Sequence, residues 1–370
     1  MLLTDNTERL QVLLKMKTNT KKFLSAVLAI IVLVTSFSFM ASASFKKNND
    51  LSAWKAVVQS NYDEFIAEVD GDSDKIPFIV STDQHGFVKA NSEIFTYIDD
   101  VVDWNKISKI INLGDTVTLF FNPYELLSYK KATQCLPAEK RIEIFGNHDG
   151  YIFPVRLLMD FFYPATVKTA VSGDKRAFVV KDEQFNIRYL QLDTMRFPWS
   201  YSTGRLSTQQ ADFIVNELSK DDSSDIVFLA HNYIFNDAMV KRDGTTFTGS
   251  DYFIGGEKKY ANVKQSFVDM LEARKNKTAG VLIDCKGVEH PYDFTDCKGD
   301  FLMTLHGHHH TEGYETKNGI TEFLFQSLRH DGDKDTEPNC FYFAYIDRST
   351  KTFKCWKNIE GYDAWEISIA

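Results

Sequence analysis

Excess positive charge is missing from this chain. Its 42 lysines and arginines are outnumbered by 51 aspartates and glutamates, a formal net charge of −9 with histidine neutral. The basic footprint that grips a nucleic-acid duplex is therefore absent. Cysteine is scarce as well: the five present, at 135, 285, 297, 340 and 355, show no CxxC spacing, which argues against a thiolate zinc site. With 8 prolines and 19 glycines in 370 residues and no heptad run or longer repeat, collagen-like, coiled-coil and solenoid architectures are excluded. No Walker lysine motif and no GxSxG elbow occurs, so NTPase and serine-hydrolase chemistry lack their residues. What remains is globular material, 44% hydrophobic and 25% charged, long enough to bury a sizeable core.

Long apolar runs are also wanting. The longest without interruption, residues 26–34, has nine residues, far short of the roughly 20 a comfortable membrane span needs. It sits in an uncharged stretch, 23–40, preceded by Lys15, Lys17, Lys21 and Lys22 and followed by Ala41-Ser42-Ala43. That pattern reads as a signal peptide cleaved after Ala43, with Met16 a more usual start than Met1. The expectation is a secreted or cell-surface protein; if the segment stays uncleaved, residues 23–40 anchor it to a membrane. Removing residues 1–43 takes away five basic and two acidic groups and leaves a net charge of −12. Residues 44–75 then read as an amphipathic helical lead-in, and residues 76–370 as one catalytic domain.

From residue 76 short apolar runs alternate with amphipathic stretches: strands at 76–81, 107–113 and 141–145 separated by helices at 93–104 and 124–134. This βαβαβ order implies an α/β sheet with helices on its faces. Further strands are expected at 177–180, 187–192, 226–230, 301–305, 322–326, 341–346 and 352–356, and helices at 207–219 and 262–275. Residues 236–260 and 276–300 read as insertions. Export makes disulfides admissible; Cys285 and Cys297 are a candidate pair, with reduced buried thiols as the equal alternative.

Polar residues gather where the apolar runs stop. Asp83-Gln84-His85, Gly114-Asp115, Gly146-Asn147-His148-Asp149, His231 and His306-Gly307-His308-His309-His310 each follow one of the strands. In open α/β sheets ligands bind beyond the carboxyl ends of strands, so these turns can share one edge. Alternation along a strand would aim Asp83 with His85, and His308 with His310, into the same space. Carboxylates, an amide oxygen and imidazoles suit Mn, Fe, Zn, Co or Ni. Singly, each residue has a commonplace reading as a turn or core residue.

Together, in this order, the five motifs DxH, GD, GNHD, H and GHxH resemble the calcineurin-like metallophosphoesterases, over residues 76–345. Gly204-Arg205-Leu206-Ser207-Thr208-Gln209-Gln210 is similar to that family's G-x-L-(S/T)-x-x-Q helix entry. Five of the nine histidines (85, 148, 231, 308 and 310) fall on motif positions; His306, His309, His290 and His330 do not. The resemblance implies a four-layer α/β/β/α sandwich of two mixed sheets flanked by helices. It implies two divalent metal ions, one held by Asp83, His85, Asp115 and His310, the other by Asp115, Asn147, His231 and His308. It also implies attack on phosphorus by a metal-bridging hydroxide, with His148 as the catalytic histidine and Asp149 orienting it. The expected activity is hydrolysis of a small phosphomonoester or phosphodiester. Purple acid phosphatases, a related group, differ at His85 and at Thr118. The alternatives are a phosphodiesterase specific for cyclic nucleotides or phospholipid head groups, using aromatics in 197–201 and 233–235, or a non-catalytic metal- or ligand-binding module.

Overall fold

Strands buried on both faces need cover on both faces, and the chain supplies it with two sheets packed together and helices outside them. A computed structural model describes residues 51–86, 89–117, 123–149, 159–174, 176–194, 204–235, 238–248, 253–254, 260–328 and 340–369. The amino-terminal part carries α1 (Ser52–Val69), β1 (Lys75–Ser81), α2 (Lys89–Val101), β2 (Lys109–Asn112), α3 (Pro123–Ala132) and β3 (Arg141–Glu143). The middle carries α4 (Met159–Phe162), α5 (Pro164–Thr169), β4 (Ala170–Asp174), β5 (Ala177–Asp182), β6 (Ile187–Leu192), α6 (Thr208–Leu218) and β7 (Asp225–Leu229). Two hairpins follow, β8 (Met239–Val240) with β9 (Thr246–Phe247), and, after α7 (Ala261–Asn276), β10 (Ala279–Ile283) with β11 (Glu289–Asp293). The chain ends in β12 (Phe301–His306), β13 (Gly313–Lys317), β14 (Ile320–Leu324), β15 (Tyr342–Asp347), β16 (Thr352–Lys357) and β17 (Trp365–Ser368).

The first sheet has the order β17-β16-β15-β1-β2-β3, and the second β4-β5-β6-β7-β12-β14-β13-β8-β9. Both are mixed. β1, β2 and β3 are parallel, with Ser81 opposite Asn112; in the second sheet β6, β7, β12 and β14 are parallel. Between the sheets lies an aromatic-rich core, where the Phe323 ring meets Phe353 of the other sheet at 4.7 Å. Outside the first sheet α1 lays Val58, Tyr62 and Phe65 on it, Phe65 stacking on Phe343 at 5.4 Å. Outside the second, α6 and α7 bury Ile214, Leu218, Phe267 and Leu271. The four-layer arrangement of two mixed sheets between helices is thus the one expected. Among the described residues no helix is long and apolar enough to cross a membrane; the segment read as a signal peptide lies outside them.

Several sequence expectations shift. β14 ends at Leu324 rather than at 326: Phe325 is still core, but its N–H goes to His306 O at 3.0 Å, where the ladder turns into the site. The insertions contain the two small hairpins, of which β8–β9 extends the second sheet and β10–β11 stands as its own two-stranded sheet. None of the five cysteines is in a disulfide. Cys285 and Cys297 do not pair because each thiol faces backbone, Cys285 Sγ accepting from Leu206 N–H at 3.3 Å and Cys297 Sγ donating to Leu218 O at 3.4 Å. Cys135 and Arg141 do stand at C-x5-R spacing, but no phosphate loop forms. Arg141 is buried on Glu143, with nitrogens at 2.7 and 3.1 Å, and burial raises the Cys135 thiol.

Candidate metal centre

Strand alternation is not what brings the polar residues together. Asp83, His85, Asp115, His308 and His310 all lie past their strand ends, with φ of 50°, 43°, 53°, 78° and 53°. The left-handed region costs a non-glycine residue roughly 1–2 kcal/mol, and here it folds each turn sharply back over the strand tips. Two turns touch backbone to backbone. A Cβ on Gly114, itself at φ +100°, would stand 2.5 Å from Gly146 N, and one on Gly146 would stand 2.1 Å from Asp115 Oδ1. Only glycine fits at either position.

Hydrogen bonds then tie the turns across the sheet edge. Asp83 N–H donates to Gly114 O at 2.9 Å and His85 N–H to Asp115 O at 3.0 Å. Between sheets, Leu328 N–H donates to Thr82 O at 2.8 Å, and His308 N–H donates to Asp83 Oδ2 at 2.7 Å. Asp83 Oδ2 also receives the Thr82 hydroxyl at 2.6 Å.

The side chains form three overlapping groups whose ligand atoms lie within 4.8 Å of one another: Asp83, His85 and His310; His85, Asp115 and His148; Asp115, His231 and His308. Asn147 completes the last group, its Oδ1 lying 3.0 Å from His231 Nε2 and 2.9 Å from His308 Nδ1. All seven residues assigned to metal binding from sequence therefore meet at one place. Asp115 lies at the centre, with Oδ2 3.2 Å from His231 Nε2, 3.7 Å from His85 Nε2 and 3.8 Å from His148 Nε2.

Two features show that this donor set suits cations. Asp83 Oδ1 is buried without a hydrogen-bond partner among the described residues, while imidazole nitrogens of His310, His85 and His231 stand 3.4, 3.7 and 4.0 Å away. A buried carboxylate oxygen left so is costly unless a positive charge answers it. The Nε2 atoms of His85 and His310 approach to 2.7 Å, a hydrogen bond whose shared proton a cation could replace.

Charge balance points the same way. Burial opposes the charge on Asp115, but His231 and His148 outweigh it and hold the carboxyl far below the usual range. Asp83 is held low against its own burial by His310 and His85. Burial would likewise neutralise His231, yet Asp115 pushes it up to about 10. A cation bound here would have to displace the proton that Asp115 holds on His231. His231 Nδ1 lies 2.7 Å from Leu113 O; as the donor there it leaves Nε2 for the ligand cluster.

Around the ligands sit residues that hold backbone. Asp149, assigned from sequence to orienting His148, accepts Gly146 N–H at 2.9 Å and Val117 N–H at 3.1 Å. These bonds fasten the backbone of two ligand turns. Burial, with the Asp115 charge second, pushes the Asp149 carboxyl up to about 8. His306 is neutral, pushed down to about 3 by burial; its ring nitrogens lie 3.1 Å from Ala230 O and 2.8 Å from Thr304 Oγ1, behind the ligands. Ser207 and Gln210 form a reciprocal capping box at the start of α6, and a Cβ on Gly204 would strike Phe253 O, which explains that helix-entry segment locally.

Sequence reasoning missed Glu322. Fully buried on β14, it accepts Ile234 N–H at 2.8 Å and Phe235 N–H at 3.1 Å, anchoring the loop that follows His231. Its one sequence signal is a lone carboxylate in the apolar run around 320–325. Burial, partly offset by those two N–H groups, pushes its carboxyl from 4.5 up to about 8. Between those values the folded protein keeps a proton the unfolded chain has lost, so its contribution to stability declines as pH rises through that window. Glu322→Gln has no proton to lose. Urea unfolding of both metal-free proteins at about pH 5 and about pH 8 should show wild type falling behind the variant by on the order of a few kcal/mol. Parallel pH profiles would overturn this account.

Other sequence candidates land elsewhere. Tyr233, Ile234 and Phe235 are buried, so the aromatics at 233–235 pack the core and offer no face for a base; the Tyr233 hydroxyl lies 3.1 Å from His309 Nε2. His290 lies 2.7 Å from Asp212 Oδ1. Residues 197–201 and His330 lie outside the described residues.

No protein-family model matches the chain, and no curated protein matches it. Several solved structures are similar to it. One is a conserved uncharacterized protein from Streptococcus pneumoniae, a predicted phosphoesterase, at 13% identity and a TM-score of 0.34, covering 80% of this chain and 98% of its own. PhoD is 11% identical with a TM-score of 0.42, covering 80% and 68%. A putative 5'-nucleotidase from Staphylococcus aureus is 13% identical with a TM-score of 0.39, over 80% of this chain and 54% of that one.

Proposed function

We propose that the chain is an exported two-metal-ion phosphoesterase that hydrolyses a small phosphomonoester or phosphodiester. The observation that carries this reading is the single cluster in which Asp115 stands between two sets of ligand atoms, with His148 at its rim. One cation would be held by Asp83, His85, Asp115 and His310, the other by Asp115, Asn147, His231 and His308. Oxygen and imidazole donors without sulfur accept Mn, Fe, Zn, Co or Ni. Bound there, such cations supply Lewis-acid chemistry, acidifying water and neutralising charge on a phosphoryl group. His148 has 21% of its side chain exposed and its backbone N–H fixed on Asp115 Oδ1 at 2.7 Å. In this reading its imidazole would give a proton to the departing oxygen. Export rests on the amino-terminal pattern, and the acidic chain favours a small phosphate ester over a polyanion.

The test uses protein beginning at Ser44, loaded with Mn²⁺, acting on bis(p-nitrophenyl) phosphate and on p-nitrophenyl phosphate, with and without chelator. Chelator-sensitive hydrolysis is expected, and the ratio of the two rates assigns diester or monoester preference. Folded protein that binds two equivalents of Mn²⁺ and cleaves neither these nor a panel of natural phosphate esters would sink the reading in favour of a non-catalytic binding module.

A further inference from the structure

The loop that carries His308 and His310 continues directly into a buried ionic cluster that the proposed chemistry does not use. Glu312, two residues beyond His310, is 6% exposed. Its Oε1 accepts from Arg242 Nε at 3.1 Å and from a second Arg242 nitrogen at 2.6 Å. Its Oε2 accepts the Tyr342 hydroxyl at 3.2 Å and faces Lys357 Nζ at 3.7 Å. Arg242 sits in the β8–β9 turn, over the rings of Trp365 and Tyr362 at 5.1 and 5.7 Å. Lys357, on β16, donates to Gln326 Oε1 at 2.5 Å and lies 3.9 Å over the Tyr362 ring. Gln326 precedes Ser327, whose hydroxyl donates to Asp83 O. One carboxylate thus gathers the hairpin, the carboxyl-terminal strands of the first sheet and the segment against Asp83.

We propose that Glu312 is a positioning residue for His310, and that the β8–β9 hairpin, through Arg242, holds the histidine loop in its ligand-bearing conformation. The physical case is that His310 lies in the left-handed region, at φ 53°, a conformation that persists only where its surroundings enforce it. Two residues further on, two guanidinium N–H groups of Arg242 on the one oxygen Glu312 Oε1 supply a charge-assisted fixed point. Glu312 is buried and Arg242 is 21% exposed, so removing the guanidinium strips the buried carboxylate of its shortest charge partner and leaves the loop free to relax. The hairpin has few other ties to the loop: Tyr314 pairs with Val240, and the Phe247 ring lies 6.1 Å from that of His309.

This inference rests on the cation-binding reading of the site, and its test separates the two. Glu312→Gln, Arg242→Met and the double variant would be compared with wild type by Mn²⁺ titration calorimetry, by the visible spectrum of the Co²⁺-loaded protein, and by thermal melting without metal. The expected result is that each single variant weakens one of two Mn²⁺ sites by about tenfold or more and alters the Co²⁺ spectrum. The double variant should be no worse than either single one, because both remove the same interaction. Arg242→Lys, which keeps the charge and loses the fork, should recover part of the affinity. If Glu312→Gln fails to fold, Tyr342→Phe removes one hydrogen bond from Oε2 and should move the same site in the same direction by less. Variants that melt lower but keep the wild-type isotherm and Co²⁺ spectrum would overturn the positioning role. Wild type that binds no Mn²⁺ would overturn the cation reading, and this inference with it.

Discussion

Asp115→Asn loaded with Mn²⁺ is expected to retain less than one equivalent of metal where wild type retains two, and to lose on the order of a thousandfold in ester hydrolysis. The substitution is nearly isosteric, and the amide oxygen can still accept the His148 N–H that Asp115 Oδ1 takes at 2.7 Å. What it removes is the charge facing His231, His85 and His148 at once. Because Asp115 is common to both ligand sets, the loss should strike both sites, whereas His310→Ala or His231→Ala should strike one. Metal content after gel filtration, read by mass spectrometry alongside bis(p-nitrophenyl) phosphate turnover, checks it. Two equivalents retained with full activity would remove Asp115 from the centre.

His148→Ala is expected to behave in the opposite way, keeping both metals and the fold while losing about a hundredfold to ten-thousandfold in turnover. Its ring stands edge-on to His85, centroids 4.5 Å apart, with 21% of its side chain exposed where those of His85 and His231 are buried. A proton donor matters most when the departing oxygen is a poor leaving group. The deficit should therefore be largest for an alkyl phosphate and shrink for a nitrophenyl ester, whose oxygen departs without a proton. Undiminished turnover of the alkyl ester would refute the role. Loss of a metal equivalent would instead make His148 a ligand, as its grouping with His85 and Asp115 permits.

The legible part of this protein was where its apolar runs stop. Strands such as Lys75–Ser81, buried from Ile76 onward, and Tyr342–Asp347, buried throughout, announce themselves as near-continuous hydrophobic segments. Because the ligands lie just beyond such strands, the candidate site could be read with them. β13 and the two hairpins were not readable. Gly313–Lys317 alternates buried and exposed positions and ends on exposed polar residues, and it is a strand because β14 and Val240 lie beside it. Buried charges were equally hidden. Glu312 meets Arg242 across 70 residues and Glu322 meets Ile234 across 88, and no local pattern announces a partner so distant. Left-handed backbone at five ligands was hidden too, since in sequence Asp83 and His85 look like the end of a strand.

One consequence follows from the way ligands are drawn from both sheets. Asp83, His85, Asp115 and Asn147 come from the first, His231, His308 and His310 from the second. Contacts that close the centre span 84 residues, as between Asn147 and His231, or 225, as between His85 and His310. Such high-contact-order pairings form only after most of the chain has already condensed. A cation taken up there would therefore come too late to template folding. It would bind a finished molecule and act as a brake, slowing the escape of the native state far more than it hastens its formation.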